Sequence, residues 1–368
     1  MKRICCLFLT VCLTVSLLTA CGGGETTAVP DTSKSITFTD SAGRQVPVHA
    51  EITRVAPSGA VATMFLASVC PDYMVCIASN PSDSQCRYLD SALLTLPATG
   101  QLYGSKGTIN LEALMNAQPQ VIIDLGDAKD GIGQDMDALQ EQTGIPTVFI
   151  EADLPHMAEA FRMLGQLLGG KTDRCAELAQ YVEETVALAE ANAARIPEAE
   201  RKSVMYTSGV SGLDTNAAGS TQAQVLELIG AKNAVTVENV SNKGGGNPIN
   251  MEQLYLFDPD VILFAADSMY SDAASDPAWR QVRAIQEGQY CEIPALPYNW
   301  MSNPPSLNML LGIRWLGNLL YPDVYDYDMT AEAQRAYRLL WGYELSGEEA
   351  QSMLQRSTLR EAAPQKAA

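Results

Sequence analysis

The sequence predicts an α/β protein of two similar lobes with mainly parallel sheets, joined by one long rigid helix and separated by a ligand cleft. Three observations support this fold class. About 330 residues follow the N-terminal segment, roughly twice the ~150 expected of one domain. A helix-strand unit occurs twice, and a long amphipathic helix lies between its two copies.

The first 20 residues have the pattern of a secretory signal peptide. Lys2 and Arg3 precede an apolar run, residues 4–20, that contains no charge. That run of about 17 residues is short for a membrane span of roughly 20. It ends in Leu18-Thr19-Ala20-Cys21, which resembles the bacterial lipobox. The resemblance implies a lipid anchor on Cys21, and a plain signal peptide is the alternative. Residues 21–34, rich in Gly, Thr, Ser and Pro, are expected to form a flexible tether.

The most informative feature is a repeated segment, whose first copy begins at Asn110 and whose second copy begins 140 residues later, at Asn250. Each copy predicts a short helix with an Asn cap, a Pro that ends it, and then a buried apolar strand. An Asp follows each strand. The paired positions are Asn110 and Asn250, Glu112 and Glu252, Pro119 and Pro259, and Asp127 and Asp267. One copy in each half of the chain predicts two similar α/β lobes, over residues 35–154 and 197–357.

Residues 155–196 are predicted to form the connecting helices. Between Lys171 and Arg195 the apolar residues are spaced three and four apart, which is typical of an amphipathic helix. At 1.5 Å per residue, ~25 residues span roughly 37 Å, long enough for a stiff connection along both lobes. Terminal helices are expected to complete the second lobe, and residues 358–368 to form a disordered tail.

Charge and histidine content exclude several function classes. A net charge of −19 disfavours nucleic acid as a partner, because phosphate binding needs clustered Lys and Arg. Neither His49 nor His156 lies in a nucleophile or metal motif, and both are interpreted as surface residues. Lys106 lacks the spacing of a phosphate loop. We therefore predict no catalytic residues, no metal site and no enzyme activity.

Five cysteines remain after residue 21: Cys70, Cys76, Cys86, Cys175 and Cys291. The number is odd and no C-x-x-C pair is present, so at least one thiol stays free. Buried apolar thiols and a disulfide among the first three are both compatible with this pattern.

Ligands of open α/β sheets bind beyond the carboxyl ends of the strands, in loops. The candidate ligand-binding residues are Ser58, Tyr103, Tyr206, Ser208, Asp267, Tyr298 and Trp300. Prolines on both sides of Trp300 predict an irregular, accessible segment in which the indole could stack on a ligand, with a core position as the alternative.

From about residue 36 to 354 the chain resembles the ABC-importer solute-binding proteins of the iron-siderophore, haem and cobalamin class. The motifs that carry the resemblance are Asp40 to Val46, Thr53-Arg54-Val55, Gly219-Ser220, Leu226 to Asn233, and Trp300 to Pro322. The resemblance implies an extracytoplasmic protein on the outer face of the membrane, working with an ABC permease dimer and its ATPase. It also implies that Glu112 and Glu252 dock onto permease arginines. The alternative is that both simply favour the positive end of a helix.

No cofactor is predicted, and the cargo is expected to be a ferric chelate such as a siderophore or haem. Scarce histidine argues against capture of bare Zn, Mn or Ni, whereas tyrosines and carboxylates suit ferric iron. Cobalamin is an alternative, as is an oxyanion such as molybdate, with Ser58, Ser208 and Ser220 at helix starts as its candidates. A surface adhesin or a secreted hydrolase is the alternative from a different class, but nothing beyond the anchor supports either.

Overall fold

The computed structural model describes residues 34–104, 107–242, 245–266 and 268–360. The predictions for the signal peptide, the tether up to residue 33, the Cys21 anchor, Lys106, Asp267 and residues 361–368 lie outside these ranges. From residue 34 onward the described chain belongs to one compact unit.

The first lobe contains a hairpin and a parallel sheet. Strands β1 (Ser35–Thr39) and β2 (Gln45–His49) pair antiparallel. The sheet has the order β3-β4-β5, with β3 Val55–Pro57, β4 Val121–Gly126 and β5 Thr147–Glu151. The near-continuous apolar run of β4 suits a parallel strand covered on both faces. The helices of the first lobe are α1 Ala60–Val69, α2 Asp83–Cys86, α3 Leu111–Asn116 and α4 Ile132–Thr143.

Two helices follow the first lobe. Helix α5 covers Met157–Leu168 and α6 covers Thr172–Ala193. Both lie within residues 155–196, where connecting helices are predicted, and α6 occupies the stretch from Lys171 to Arg195 in which the sequence predicts one long helix. Gly169, with a φ of 59°, makes the tight connection between them. The 22 residues of α6 extend for about 33 Å. The helix buries side chains at three- and four-residue spacing, including Leu178, Val182 and Ala189.

The second lobe contains a mixed sheet. Its order is β11-β10-β6-β7-β9, with β8 also paired to β6. Strands β6, β8, β10 and β11 run parallel, while β7 and β9 are antiparallel additions. The strands are β6 Ser203–Ser208, β7 Asp214–Thr215, β8 Lys232–Asn233, β9 Asn247–Pro248, β10 Val261–Phe264 and β11 Tyr290–Glu292. The helices of this half are α7 Gln224–Leu228, α8 Met251–Phe257, α9 Arg283–Gln286, α10 Asn308–Leu320, α11 Met329–Trp341 and α12 Gly347–Leu354. The predicted α/β fold with mainly parallel sheets is confirmed.

The repeated unit has the same structure in both lobes. The Asn110 side chain accepts a hydrogen bond from the Ala113 amide at 3.0 Å, and Asn250 accepts one from Gln253 at 2.9 Å. These are the caps of α3 and α8. Leu114 and Leu254, 140 residues apart, are both fully buried beneath their helices.

The terminal helices contact the first lobe as well as the second. The Tyr88 ring packs edge-on against Tyr337 of α11 and against Tyr343, with centroids 5.6 and 5.0 Å apart. Arg87 forms an ion pair with Glu349 of α12. The sequence assigned these helices to the second lobe and gave no sign of their contact with residues 87–88.

All five described cysteines are free thiols, and of the alternatives above this excludes the disulfide. Cys70, Cys76, Cys175 and Cys291 are buried. Burial raises the pKa of Cys76 to about 11 and that of Cys175 to about 12, so both thiols are protonated and unreactive at neutral pH.

Helix α10 lies directly against the backbone of residue 300. A Cβ atom added at Gly312 would stand 2.1 Å from the carbonyl oxygen of Trp300. Only glycine allows this approach of helix and chain. The contact positions the segment around Trp300.

We expect Gly312→Ala to lower the free energy of unfolding by about 1–3 kcal/mol, because the added methyl forces helix and backbone apart. The control is Gly347→Ala, whose added Cβ would be 3.9 Å from its nearest neighbour, Thr330. Urea unfolding of both variants measures the difference. Equal stabilities of the two variants would contradict the close packing at Gly312.

Candidate functional site

A cavity of about 190 Å³ lies between the first lobe and the segment that leads into α10. The first lobe contributes Ala60 and Thr63 of α1 together with residues from the stretch 77–93. The facing wall is formed by Tyr298, Asn303 and Pro304. No Lys, Arg, Asp or Glu is among the twelve described residues that line it.

The first turn of α1 forms part of the cavity wall that the first lobe contributes. The helix begins directly after β3, so its N-terminus lies at the carboxyl edge of the parallel sheet. Gly59 caps it without a side-chain hydrogen bond. The amides of residues 60–62 therefore have no acceptor within the helix. The helix dipole adds a partial positive charge at this end of the cavity.

Hydroxyl and amide groups complete the polar part of the lining. Thr63, Ser79 and Gln85 contribute from the first lobe and Asn303 from the other wall. Burial raises the pKa of the Tyr298 phenol to about 12, so it is a hydrogen-bond donor at neutral pH. The ring of Tyr298 packs 6.4 Å from Trp341, which supports this wall from behind.

Besides the contact of Arg87 with Glu349, the halves of the molecule are joined by hydrogen bonds beside the cavity and beyond the end of β4. Gln85 Nε2 donates to the carbonyl oxygen of Pro297 at 2.9 Å, beside the cavity. Thr221 Oγ1 donates to Asp127 Oδ2 at 2.9 Å, beyond the end of β4. Asp127 is the residue that follows the repeated strand, and its role here is a contact between lobes.

A polar cluster lies at the carboxyl edge of the first sheet. The Ser58 hydroxyl, almost fully buried, donates to Asp124 of β4. Burial raises the pKa of the Asp124 carboxyl, while the hydrogen bond from Ser58 and the charge of Lys129 oppose the rise. Tyr103 donates to Asp135 at 2.7 Å and has the Lys129 ammonium 3.7 Å from its ring centroid.

The structure does not bring the predicted ligand residues together. Of those described, only Tyr298 lines the cavity. Ser58 and Tyr103 belong to the polar cluster. Tyr206 lies inside β6 with 2% of its surface exposed, and the Ser208 hydroxyl donates to the Asp214 carbonyl at 3.3 Å. The expected position of Tyr206 in an open loop is therefore wrong, because β6 continues to Ser208.

The prediction that Trp300 is accessible is also wrong. Its side chain is 0% exposed, and the indole N–H donates to the Leu296 carbonyl at 3.1 Å. The chain around it folds back onto α10, where Gly312 allows close approach. Trp300 is a core residue that supports the cavity wall.

Sequence reasoning missed most of the lining. Ala60 follows directly on the predicted loop at Ser58, so the start of α1 could have been recognised as a helix N-terminus at a strand end. Ser79 and Gln85 belong to no motif, and only the folded chain brings them together with Asn303.

Glu112 and Glu252 occupy equivalent exposed positions. Each lies in the first turn of its short helix, after the capping Asn. Met115 and Tyr255, also equivalent in the repeat, are 40% and 41% exposed, and Leu256 is 84% exposed. Each lobe thus presents an acidic group beside apolar surface.

A second cavity of about 290 Å³ lies under α8, lined by Leu254, Tyr255 and Arg283 among others. It belongs to one lobe alone. The smaller cavity is the better ligand candidate, because binding sites form preferentially between structural units where polar groups converge.

In the described residues no helix is both long and apolar enough to cross a bilayer.

Comparison with known proteins assigns the chain to a protein family. The model of the periplasmic binding protein family matches residues 78–296, more than half of the chain. A search of curated proteins gave no significant match.

Solved structures of similar fold include three transport proteins. A solute-binding protein of an ABC transporter from Sulfurospirillum deleyianum is 26% identical, with a TM-score of 0.79, and the match covers 87% of this chain and 99% of that one. A periplasmic solute-binding protein from Veillonella parvula is 22% identical, with a TM-score of 0.72 and coverage of 88% and 98%. The Haemophilus influenzae protein MolA, solved with molybdate bound, is 17% identical, with a TM-score of 0.69 and coverage of 84% and 99%.

These matches agree with the resemblance seen in the sequence, and the family is a transport family and not an enzyme class. The chain belongs to the periplasmic binding protein family, the extracytoplasmic solute-binding proteins of ABC transporters.

Proposed function

We propose that this protein is a lipid-anchored binding protein that delivers a small oxyanion of the molybdate type to an ABC importer. The observation that carries the proposal is the cavity at the N-terminus of α1, which is small, uncharged in its described lining and partly apolar. The motif Leu18 to Cys21 supports the anchor on the outer face of the membrane.

Size favours an oxyanion over the ferric chelate expected from the sequence. The cavity holds about 190 Å³. Pockets for larger organic ligands commonly measure about 300–1,000 Å³. A siderophore complex or haem would need a wider opening of the cleft, whereas a tetrahedral oxyanion is compact.

The chemistry of the lining supports the same choice. Free amides at a helix N-terminus bind anions without a cationic side chain. Around the start of α1, the hydroxyls of Ser79 and Tyr298 and the amides of Gln85 and Asn303 offer further donors. The molybdate bound by the H. influenzae protein of this fold is consistent with such a cargo.

The ferric chelate is the second candidate. Its supporting observation is Tyr298, whose phenol oxygen lines the cavity and belongs to the ligand types that suit ferric iron. A Staphylococcus aureus protein of similar fold was solved with haem, at 18% identity and a TM-score of 0.54. The measured cargo distinguishes the two candidates.

We further propose that Glu112 and Glu252 dock onto the permease. The support is their equivalent, exposed placement on α3 and α8, each beside an exposed apolar side chain, Met115 or Tyr255. Exposed apolar surface with charged neighbours is typical of protein contact sites. Two matching patches suit a partner built from two similar subunits.

We expect Ala60→Asp to weaken oxyanion binding strongly. The carboxylate would stand at the first position of α1, where it suits the helix but repels an anion in the cavity. Calorimetric titration with molybdate should show a loss of at least about 100-fold in affinity, or ~2.7 kcal/mol.

The matched control is Ala60→Asn, which has nearly the same shape without the charge and should keep most of the affinity. Titrations of the wild type with ferric siderophores and haem accompany these measurements. If molybdate does not bind to the wild type, or Ala60→Asp binds it equally well, the oxyanion proposal fails. Binding of a ferric chelate alone would establish the second candidate.

We expect the double variant Glu112→Arg with Glu252→Arg to bind its cargo normally but to fail in transport. Reversed charge at both patches would replace attraction to the permease by repulsion. Cellular uptake of the cargo should fall by at least about tenfold, while the dissociation constant of the cargo from the binding protein stays unchanged.

The control double variant is Glu141→Arg with Glu238→Arg, which makes the same charge change at two other exposed positions. Its uptake should stay close to that of the wild type. Equal uptake by both double variants would refute docking through Glu112 and Glu252.

A further inference from the structure

Three side chains with metal-ligating atoms converge where β5 ends. They are Glu151, the last residue of the strand, Asp153 in the following turn, and His156 at the start of α5. Their ligand atoms all lie within 4.8 Å of one another. His156 Nδ1 is 2.5 Å from Asp153 Oδ1 and 3.7 Å from Glu151 Oε1.

The backbone holds all three residues in place. Glu151 pairs with Gly126 of β4, and its amide donates to the Ser41 hydroxyl at 2.9 Å. The His156 amide donates to the carbonyl oxygen of Asp153 at 3.0 Å, which closes the turn between them. The carbonyl of His156 then accepts the Ala160 amide at 2.8 Å. Metal binding would therefore require adjustment of side-chain torsions only.

The spacing is close to what a shared ion needs. Nitrogen and oxygen ligands lie about 2.0–2.2 Å from a transition metal, so two donors on one ion are roughly 3–4 Å apart. The distance from His156 to Glu151 already falls in this range, and the contact with Asp153 would open slightly to admit the ion.

The donor set selects the kind of ion. An imidazole with two carboxylates suits zinc, nickel or copper, whereas Mg²⁺ and Ca²⁺ prefer oxygen ligands alone. The two carboxylates balance the charge of a divalent ion. From this geometry we propose that Glu151, Asp153 and His156 form a binding site for a divalent transition-metal ion.

The site is separate from the cargo cavity and open to solvent. The side chains of His156, Asp153 and Glu151 are 50%, 21% and 30% exposed. With three protein ligands, a bound ion keeps at least one position for water or for an external donor.

The experiment uses the full-length chain without a histidine tag, because its only imidazoles are then those of His49 and His156. Zn²⁺ and Ni²⁺ are titrated separately at neutral pH by calorimetry. For Zn²⁺, the ring nitrogens of both histidines are also followed by NMR. We expect the His156 signals to shift with one equivalent of Zn²⁺ and those of His49 to stay unchanged.

Variants separate the proposed ligands from other groups. His156→Ala and Asp153→Ala should each weaken binding by at least about tenfold, and His49→Ala should leave the affinity unchanged. A large excess of Mg²⁺ should not displace Zn²⁺. The proposal is overturned if the wild type binds neither metal, if the His156 signals do not move, or if His156→Ala binds as tightly as the wild type. None of these outcomes depends on the identity of the transported cargo.

Discussion

The buried guanidinium of Arg314 connects the helices on which the cavity walls depend. It lies in α10 with 2% of the residue exposed, donates to Thr185 of α6 at 3.0 Å and pairs with Glu332 of α11 at 3.0 Å. It also lies over the ring of Tyr181 in α6, 5.5 Å from the centroid. A buried charge that loses its partners costs several kcal/mol, so these three helices are strongly held in one arrangement.

That arrangement determines how the cavity is built. Helix α10 carries Gly312, against which the backbone of Trp300 packs, and so positions the wall that contains Tyr298 and Asn303. Helix α11 contacts the first lobe through Tyr337 and Tyr88. The other wall of the cavity, which the first lobe contributes at the start of α1, is therefore held by the same set of helices. The cavity is a product of helix packing more than of its own lining residues.

The parts of the fold that local chemistry determines could be predicted from the sequence. The Asn caps at Asn110 and Asn250 and the prolines after each short helix act within a few residues, and both copies of the unit formed as expected. Helix α6 followed from its apolar spacing. The candidate site could not be predicted in the same way. Trp300 was assigned to the surface because its flanking prolines are visible in the sequence, whereas its packing partner Gly312 is distant and gives no local signal.

All four tryptophans of the chain lie in the interior. Trp279, Trp300, Trp315 and Trp341 are exposed by 3%, 0%, 2% and 7%. Their emission should be that of indole shielded from water, and direct stacking of a cargo on any of them would require the core to open. A change of intrinsic fluorescence on binding would therefore report a rearrangement of the helices and lobes. For this protein the intrinsic signal is an indicator of conformation, and a separate probe is needed to detect contact with the ligand.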